Sequence, residues 1–127
     1  MPVKTQTDFP AVHASLRAIM QKYEGGSLQV TADTPDNFVL VGPATELSRG
    51  RELWFGAVQT RKYYVSYHLM AVYAFPDLLE GISPELKKRM QGKACFNFKT
   101  VDDKLFKELA RLTGRGYRRF MRAKMID

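Results

Sequence analysis

The chain has few of the residues that build disulfides, metal centres or nucleophilic sites. Its 127 residues include one cysteine and two histidines, Cys95, His13 and His68. A lone cysteine cannot form an intramolecular disulfide, which fits a reducing compartment, and a zinc site needs about three or four closely spaced Cys or His ligands. The composition therefore excludes a disulfide-stapled scaffold and predicts no zinc site.

Motifs for phosphate loops and for membrane insertion are also missing. Neither G-x-x-x-x-G-K nor G-x-G-x-x-G occurs in the sequence. The segment from Met1 to Gln6 lacks the apolar stretch of a signal peptide. The longest uncharged run, from Tyr63 to Pro76, is shorter than the ~20 residues of a membrane-spanning helix. We therefore predict a cytoplasmic protein with no membrane-spanning segment.

The chain does contain the composition of an ordinary folded domain. Apolar residues make up 45% of it and charged residues 26%, which is enough apolar surface to offset the entropy of ordering the chain. Domains commonly have about 100–150 residues. We therefore predict a single domain over residues 1–127.

The periodicity of apolar residues predicts helices at both ends of the chain. A stripe at spacings of three and four predicts a first helix over residues 8–24, ended by Gly25-Gly26. A second stripe predicts a last helix that begins with a capping box at Thr100-x-x-Asp103. We expect this helix to break or kink at Gly114–Gly116, because each glycine costs ~1 kcal/mol in a helix interior. Short helical pieces are predicted over residues 77–80 and 85–91.

Alternating apolar residues predict five strands between the terminal helices. They cover residues 27–32, 38–41, 51–60, 63–74 and 94–99, and residues 44–50 form a polar loop. Short turns between consecutive strands favour antiparallel pairing. The predicted fold class is α+β in the order α-β-β-β-β-α-β-α. In it the N- and C-terminal helices pack on one face of an antiparallel five-stranded sheet.

Side chains alternate across a strand, which divides the predicted sheet into two faces. The more uniformly apolar set is expected under the helices: Leu53, Phe55, Ala57, Tyr63, Val65, Tyr67, Leu69, Ala71, Tyr73, Ala94, Phe96 and Phe98. The mixed set is expected on the helix-free face: Trp54, Gly56, Val58, Tyr64, Ser66, His68, Met70, Val72, Cys95, Asn97 and Lys99. A register error of one residue would exchange the two faces.

Six residues of the mixed set form the candidate ligand-binding site: Trp54, Tyr64, Ser66, His68, Cys95 and Asn97. Aromatic walls with a few polar groups are what a small-ligand pocket needs. Trp54 and Tyr64 would stack on a planar ligand, and His68 would exchange a proton near neutral pH. Lys93 and Lys99 would place positive charge at the rim. The alternative is a minor packing layer beneath residues 76–92.

The sequence offers little support for catalysis. Cys95 and His68 are formally a thiol–imidazole pair for nucleophilic chemistry, but both also have ordinary roles in strands. No acid–base pair of carboxylates stands out, and Asp102-Asp103 fits favourable charge at a helix start. We assign no catalytic residue, and we leave open whether the protein is an enzyme.

Most of the net charge of +7 lies near the end of the chain. The segment from Arg111 to Met125 contains six basic residues and no acid: Arg111, Arg115, Arg118, Arg119, Arg122 and Lys124. Arg115, Arg118, Arg119 and Arg122 are the candidate polyanion-binding residues, because spacings of three and four share a helix face and guanidinium groups match phosphate oxygens. The alternative is a solvated face that complements the helix dipole.

One stretch resembles a known family. The sequence KYYVSYHLMAVYAFPDLLEGISPELKKRMQGKACFNFK, from Lys62 to Lys99, is similar to the YdhG-like bacterial domains of unknown function. The most specific parts are YVSYHLM, SPELKKRMQGK and CFNF. The resemblance implies a small α+β domain of frataxin-like arrangement, with two helices on an antiparallel sheet.

Three functional hypotheses follow. The first is a non-enzymatic binding module, monomeric or homodimeric, that holds a small molecule or a protein partner on the helix-free face. The second, implied by the resemblance, is a frataxin-like iron chaperone that supports iron–sulfur cluster assembly, with iron as the only cofactor considered. Frataxins have an acidic ridge on helix one, whereas here that helix has only Asp8 and Glu24, at its ends. The third and weakest is nucleic-acid binding through the basic helix.

Overall fold

A computed structural model describes residues 8–43 and 53–124. Within them the helices are α1 (Phe9–Gln21), α2 (Met70–Ala74), α3 (Pro84–Lys87) and α4 (Asp103–Arg122). The strands are β1 (Gln29–Thr34), β2 (Asn37–Gly42), β3 (Leu53–Thr60), β4 (Val65–Leu69), β5 (Met90–Gln91) and β6 (Cys95–Phe98), and a 3₁₀ turn covers Pro76–Leu79. The polar loop predicted over residues 44–50 lies outside the described residues.

The strands form one antiparallel sheet in the order β1-β2-β3-β4-β6-β5. Helix α1 packs on β3, and α4 packs on α1, α2 and α3. The predicted α+β class and antiparallel sheet are confirmed. The predicted count of five strands and the element order are wrong, because the described sheet has six strands.

Two local predictions account for that difference. The apolar run predicted as a strand to residue 74 leaves the sheet after Leu69 and continues as α2. Met and Ala favour helix, and the run has no regularly spaced polar residues that would have indicated the change from strand to helix. The helix predicted to residue 91 ends at Lys87, and Met90–Gln91 pairs with β6 instead. Ser83 caps α3 as expected, its hydroxyl accepting from the Leu86 N–H at 3.1 Å.

The core between sheet and helices is built around Phe55. Its ring lies 5.9 Å from that of Phe120 and 6.2 Å from those of Tyr23 and Tyr117. Edge-on and tilted contacts of this kind add to the free energy of apolar burial. The helix-facing side of β3 is therefore joined by aromatic packing to α4 and to Tyr23, which follows the end of α1.

A β-bulge in β3 shifts the alternation of its side chains. Val41 of β2 pairs with Trp54 and Leu40 pairs with Gly56, so Phe55 is the extra residue. A bulge places two successive side chains on the same side. Phe55 and Gly56 therefore both face the helices and Trp54 faces away, while Val58 is aligned with Tyr67 on the helix side. The predicted faces of Ala57, Gly56 and Val58 are wrong for this reason.

Helix α4 is continuous from Asp103 to Arg122. The predicted break at Gly114–Gly116 is wrong, because both glycines are buried where neighbours approach closely. The predicted capping box is also wrong, since the Asp102 carboxylate accepts from the Leu105 N–H at 3.1 Å. None of the described helices combines the length and the apolar character needed to cross a membrane.

A buried hydrogen-bond chain ties the centre of the sheet to α4. The Tyr67 hydroxyl lies 2.6 Å from Thr113 Oγ1, and the Thr113 hydroxyl donates to the Leu109 carbonyl at 2.8 Å. Tyr67 and Thr113 are both fully buried. Because each hydroxyl has a hydrogen-bond partner, burying these two polar side chains costs little free energy. The hydrogen bond between them also fixes the position of α4 relative to β4.

The outer strand β1 is irregular. Its register with β2 shifts between Val30 and Ala32. The guanidinium of Arg17 on α1 forms an ion pair with Asp33 and lies 5.0 Å from the centre of the Phe38 ring. At the opposite edge of the sheet, β5 has only two residues. Both edges therefore differ from a long, flat strand.

His13 of α1 is a buried imidazole. It is only 3% exposed, its Nδ1 lies 3.4 Å from Thr60 Oγ1, and its Nε2 has no hydrogen-bond partner among the described residues. Burial, and next the charge of Arg17, lower the pKa of His13 below its ordinary value of 6.5. The folded protein therefore keeps this ring neutral.

Mild acidification should reduce the stability of the domain. The folded pKa values of His13 and His68 lie below 6.5, so the unfolded chain binds protons more readily. This contribution is complete above about pH 7, decreases as the pH falls below the unfolded value of 6.5, and is fully lost below the folded pKa values. Urea unfolding should give a lower free energy at about pH 5.5 than at about pH 7.5. His13→Leu should flatten that slope, and an unchanged slope would contradict the assignment.

Candidate functional site

Three adjacent strands bring the predicted site residues together on the face opposite α1 and α4, which we call the open face. His68 of β4 is aligned with Ala57 of β3 and Cys95 of β6. The Trp54 and His68 ring centres are 5.5 Å apart with planes at 58°. Cys95 Sγ lies 2.7 Å from His68 Nδ1. Trp54, His68 and Cys95 therefore share one side of the sheet, as alternation predicted.

A row of polar side chains continues the open face toward the edge of the sheet. Ser66 and Asn97 are aligned across β4 and β6, and the Ser66 hydroxyl donates to Asn97 Oδ1 at 2.8 Å. The Asn97 amide donates to Gln91 Oε1 at 2.7 Å. Each group orients the next, so the row is arranged before any ligand arrives.

Two adjoining depressions open on this row. The first, about 160 Å³, is lined by Arg61, Tyr64, Ser66, His68, Gln91, Cys95 and Asn97. The second, about 280 Å³, is lined by Tyr64, Lys88, Arg89, Met90, Gln91, Asn97 and Lys99. They share Tyr64, Gln91 and Asn97. Five of the six predicted residues line the first depression, and Trp54 contacts it through His68.

The histidine and the cysteine are both held in their neutral forms. Burial, and next the charge of Arg61, lower the pKa of His68. Burial raises the pKa of the Cys95 thiol, although the Ser66 hydroxyl and the Arg61 charge oppose it. At neutral pH the pair is therefore an uncharged S–H beside an imidazole nitrogen, which fits a hydrogen-bonding surface better than a thiolate nucleophile.

The rim of the depressions is positively charged. Arg61, Lys88, Arg89 and Lys99 line one depression or the other, and no acidic residue among those that the structure describes does so. The predicted rim residue Lys99 is among them, whereas Lys93 is not. Positive charge without a neighbouring carboxylate favours an anionic ligand.

Sequence reasoning missed Gln91, Arg61 and the pair Lys88–Arg89. Gln91 belongs to a two-residue strand that no periodicity reveals. Arg61 lies in the turn between β3 and β4, and its Nη2 donates to Gln59 Oε1 at 2.7 Å. The only signal for Arg61 was its position next to a predicted site strand.

The alternative of a packing layer beneath residues 76–92 finds no support in the described contacts. The 3₁₀ turn and α3 both pack on α4. Ser83 donates from its backbone N–H and its hydroxyl to the Glu108 carboxylate, both at 2.6 Å. These elements therefore lie on the helix side, whereas the segment from Lys88 to Gln91 extends beside the open face.

The four arginines of the predicted basic cluster on α4 have three different surroundings. Arg119 donates to both Asp77 oxygens, at 3.0 and 2.6 Å, and lies 5.0 Å from the centre of the Phe75 ring. Its charge is paired within the fold, so Arg119 is less available to an external anion than its unpaired neighbours, and its role in polyanion binding stays a prediction. Arg115 and Arg118 line a different groove, and Arg122 is exposed further along the helix.

No metal centre is formed within the described part of the chain. No group of three or more His, Cys, Asp or Glu residues there is placed to hold a metal ion. His68 and Cys95, with Nδ1 and Sγ 2.7 Å apart, provide only two donors. The described residues thus give no observation that favours bound iron.

The fold and the open face define a class of protein: a small α+β domain with helices on one side of an antiparallel sheet and a polar, aromatic surface on the other. Comparison with protein-family models, with curated proteins and with solved structures found no match to this chain.

Proposed function

We propose that the protein is a non-enzymatic binding module that holds a small planar anion on the open face. The observation that carries the proposal is the convergence of Trp54, His68 and the Ser66–Asn97–Gln91 row beside a cationic rim. Aromatic surface with a few fixed polar groups is typical of small-ligand sites.

Each part of the site has a separate role in this proposal. The rings of Tyr64 and Trp54 provide flat apolar area, which favours a planar ligand. The Ser66–Asn97 pair fixes its orientation through hydrogen bonds. Arg61 at one end and Lys99 at the other attract a negative charge. Neutral His68 accepts or donates one hydrogen bond according to its tautomer.

The neutral state of Cys95 and His68 supports binding over catalysis. A nucleophilic cysteine requires a thiolate, which a nearby imidazolium or other cation stabilises. Here burial acts against both charges. The pair therefore serves as part of the binding surface in this proposal.

We also propose that the chain is a YdhG-like domain, on the three sequence segments quoted above. The antiparallel sheet with α1 and α4 on one face supports this assignment. Iron chaperoning receives no such support, because the described residues form no cluster of metal ligands.

Titration with benzoate, a planar aromatic carboxylate, tests the binding proposal. Trp54 is the only tryptophan and lies against His68, so its fluorescence reports on this face. We expect a saturable change in Trp54 emission on addition of benzoate. Neutral benzamide should bind about three-fold more weakly or worse, because the cationic rim does not attract it.

Variants localise the effect. His68→Ala and Arg61→Gln should each weaken benzoate binding several-fold, whereas Lys104→Gln, which removes one positive charge on α4, should leave it unchanged. A fluorescence response that is equal for benzoate and benzamide, or that survives in Arg61→Gln and His68→Ala, would remove the proposal.

A further inference from the structure

A second cationic surface lies on the other side of the molecule, where the end of α1 meets α4. A groove of about 410 Å³ is lined there by Lys22, Tyr23, Ala110, Arg111, Gly114, Arg115 and Arg118. Four of these residues are cationic and none is acidic. None of them lines either depression on the open face.

The four cations of this groove have no ion-pair partner in the described part of the chain. The two ion pairs found there use the neighbouring arginines Arg17 and Arg119, with Asp33 and Asp77. Arg111, Arg115 and Arg118 are exposed. The charge of Arg115 also helps to lower the pKa of Asp77, so Asp77 balances part of that charge. Lys22, Arg111 and Arg118 keep positive charge in the groove with no ion-pair partner among the described residues, which favours an external anion.

The floor of the groove is shaped by a glycine. A Cβ atom at Gly114 would lie 3.0 Å from the Tyr23 hydroxyl and 3.3 Å from Arg118 Nη1. Glycine in a helix interior costs ~1 kcal/mol relative to alanine. Its presence lets a hydroxyl donor and a guanidinium donor approach the helix together, which is the donor chemistry that phosphate oxygens accept.

The length of the cationic row limits the size of the anion. Arg111 and Arg118 are separated by seven residues, about 10 Å along a helix at 1.5 Å per residue. This length suits a short chain of linked phosphates. A specific DNA or RNA complex normally buries a much larger protein surface than a row of this length provides.

We propose that the groove between α1 and α4 binds a small anion that carries two or three linked phosphate groups. Arg111, Arg115 and Arg118 donate to the phosphate oxygens along the row, and Lys22 contributes charge from the opposite wall. The Tyr23 hydroxyl donates at the floor. A nucleoside triphosphate and inorganic tripolyphosphate share this chemistry.

Calorimetric titration with tripolyphosphate tests the site. We expect one molecule bound per chain, at least about ten-fold tighter than orthophosphate, with affinity that falls as salt is added because exposed charges are screened over ~8 Å at physiological ionic strength. Equal affinity for ATP identifies the phosphate chain as the whole determinant. Tighter binding of ATP adds a contact to the nucleoside beside the phosphate chain.

Substitutions at exposed positions separate the site from general charge. Arg115→Gln and Arg118→Gln should each weaken tripolyphosphate about ten-fold, as expected when a charged hydrogen-bond partner is lost. Lys87→Gln removes the same charge from α3 and should change nothing. The proposal is overturned if Lys87→Gln weakens binding as much as the arginine variants, if orthophosphate binds equally well, or if a single-stranded oligonucleotide binds more than ten-fold tighter.

Discussion

Replacing Gly56 by alanine should lower the free energy of unfolding by about 3 kcal/mol or more. A Cβ atom there would lie 2.5 Å from the His68 carbonyl oxygen and 2.5 Å from Met20 Cε. The Met20 side chain can move, but the His68 carbonyl belongs to a central strand and cannot. Alanine's entropic advantage over glycine in a strand, ~1 kcal/mol at most, does not offset this clash.

Chemical denaturation of Gly56→Ala measures this loss directly. Combining it with Met20→Ala removes the side-chain clash and leaves the backbone one, so the double variant should be less stable than Met20→Ala alone. Because His68 must shift, the pairing of Trp54 with His68 should also change, which Trp54 emission reports. A Gly56→Ala variant as stable as the parent would show that β3 and β4 are not in the close contact described.

The second large effect is expected at Gly116, where α4 crosses α2. A Cβ atom at Gly116 would lie 2.6 Å from the Cβ of Ala71, so Gly116→Ala must separate the two helices. We expect a loss of about 1–3 kcal/mol, even though alanine favours helix by ~1 kcal/mol.

Gly114→Ala is the matched control. It gains the same helix propensity in the same helix, but its new methyl group meets only the ends of the Tyr23 and Arg118 side chains, at 3.0 and 3.3 Å. We expect Gly114→Ala to be neutral or slightly stabilising, and Ala71→Gly to restore part of the stability of Gly116→Ala. If the two alanine variants behave alike in thermal or urea unfolding, close packing does not explain Gly116.

The glycines of α4 show where prediction from sequence fails. Intrinsic propensity alone predicted a break at Gly114–Gly116, because a helix interior disfavours glycine. The structure instead uses both positions for close approach, one toward α2 and the other toward Tyr23. The pattern of a single sequence indicates that a glycine inside a helix is unfavourable. It does not indicate which residue of the fold packs closely against that glycine and makes it favourable.

The β-bulge is a second example. Alternation correctly predicted that Trp54, His68 and Cys95 share a face, because β4 and β6 are regular and aligned. It failed from Gly56 onward, because the bulge places Gly56 and Val58 toward the helices. A bulge arises from the pairing of two strands, which one strand's sequence does not specify. Gly56, next to the bulge, was the only residue in β3 that could have indicated it.

The basic helix is a third example. Arg118 and Arg119 are adjacent in sequence and equal in chemistry, yet Arg119 is paired with Asp77 and Arg118 lines a groove. Asp77 is 42 residues away from Arg119. Helical spacing predicts which residues share a side, whereas the availability of a charge depends on which acid the tertiary fold brings near.

The shape of the outer strands affects how separate copies of the chain meet. An exposed strand with free N–H and C=O groups is a template on which other chains add, and irregular or very short edges resist that addition. The register shift in β1 makes one edge of the sheet irregular, and the Arg17–Asp33 ion pair places charged groups beside that edge. The other edge strand, β5, has only two residues and is too short to pair over any length. Both ends of the sheet thereby discourage intermolecular strand addition, and with it aggregation.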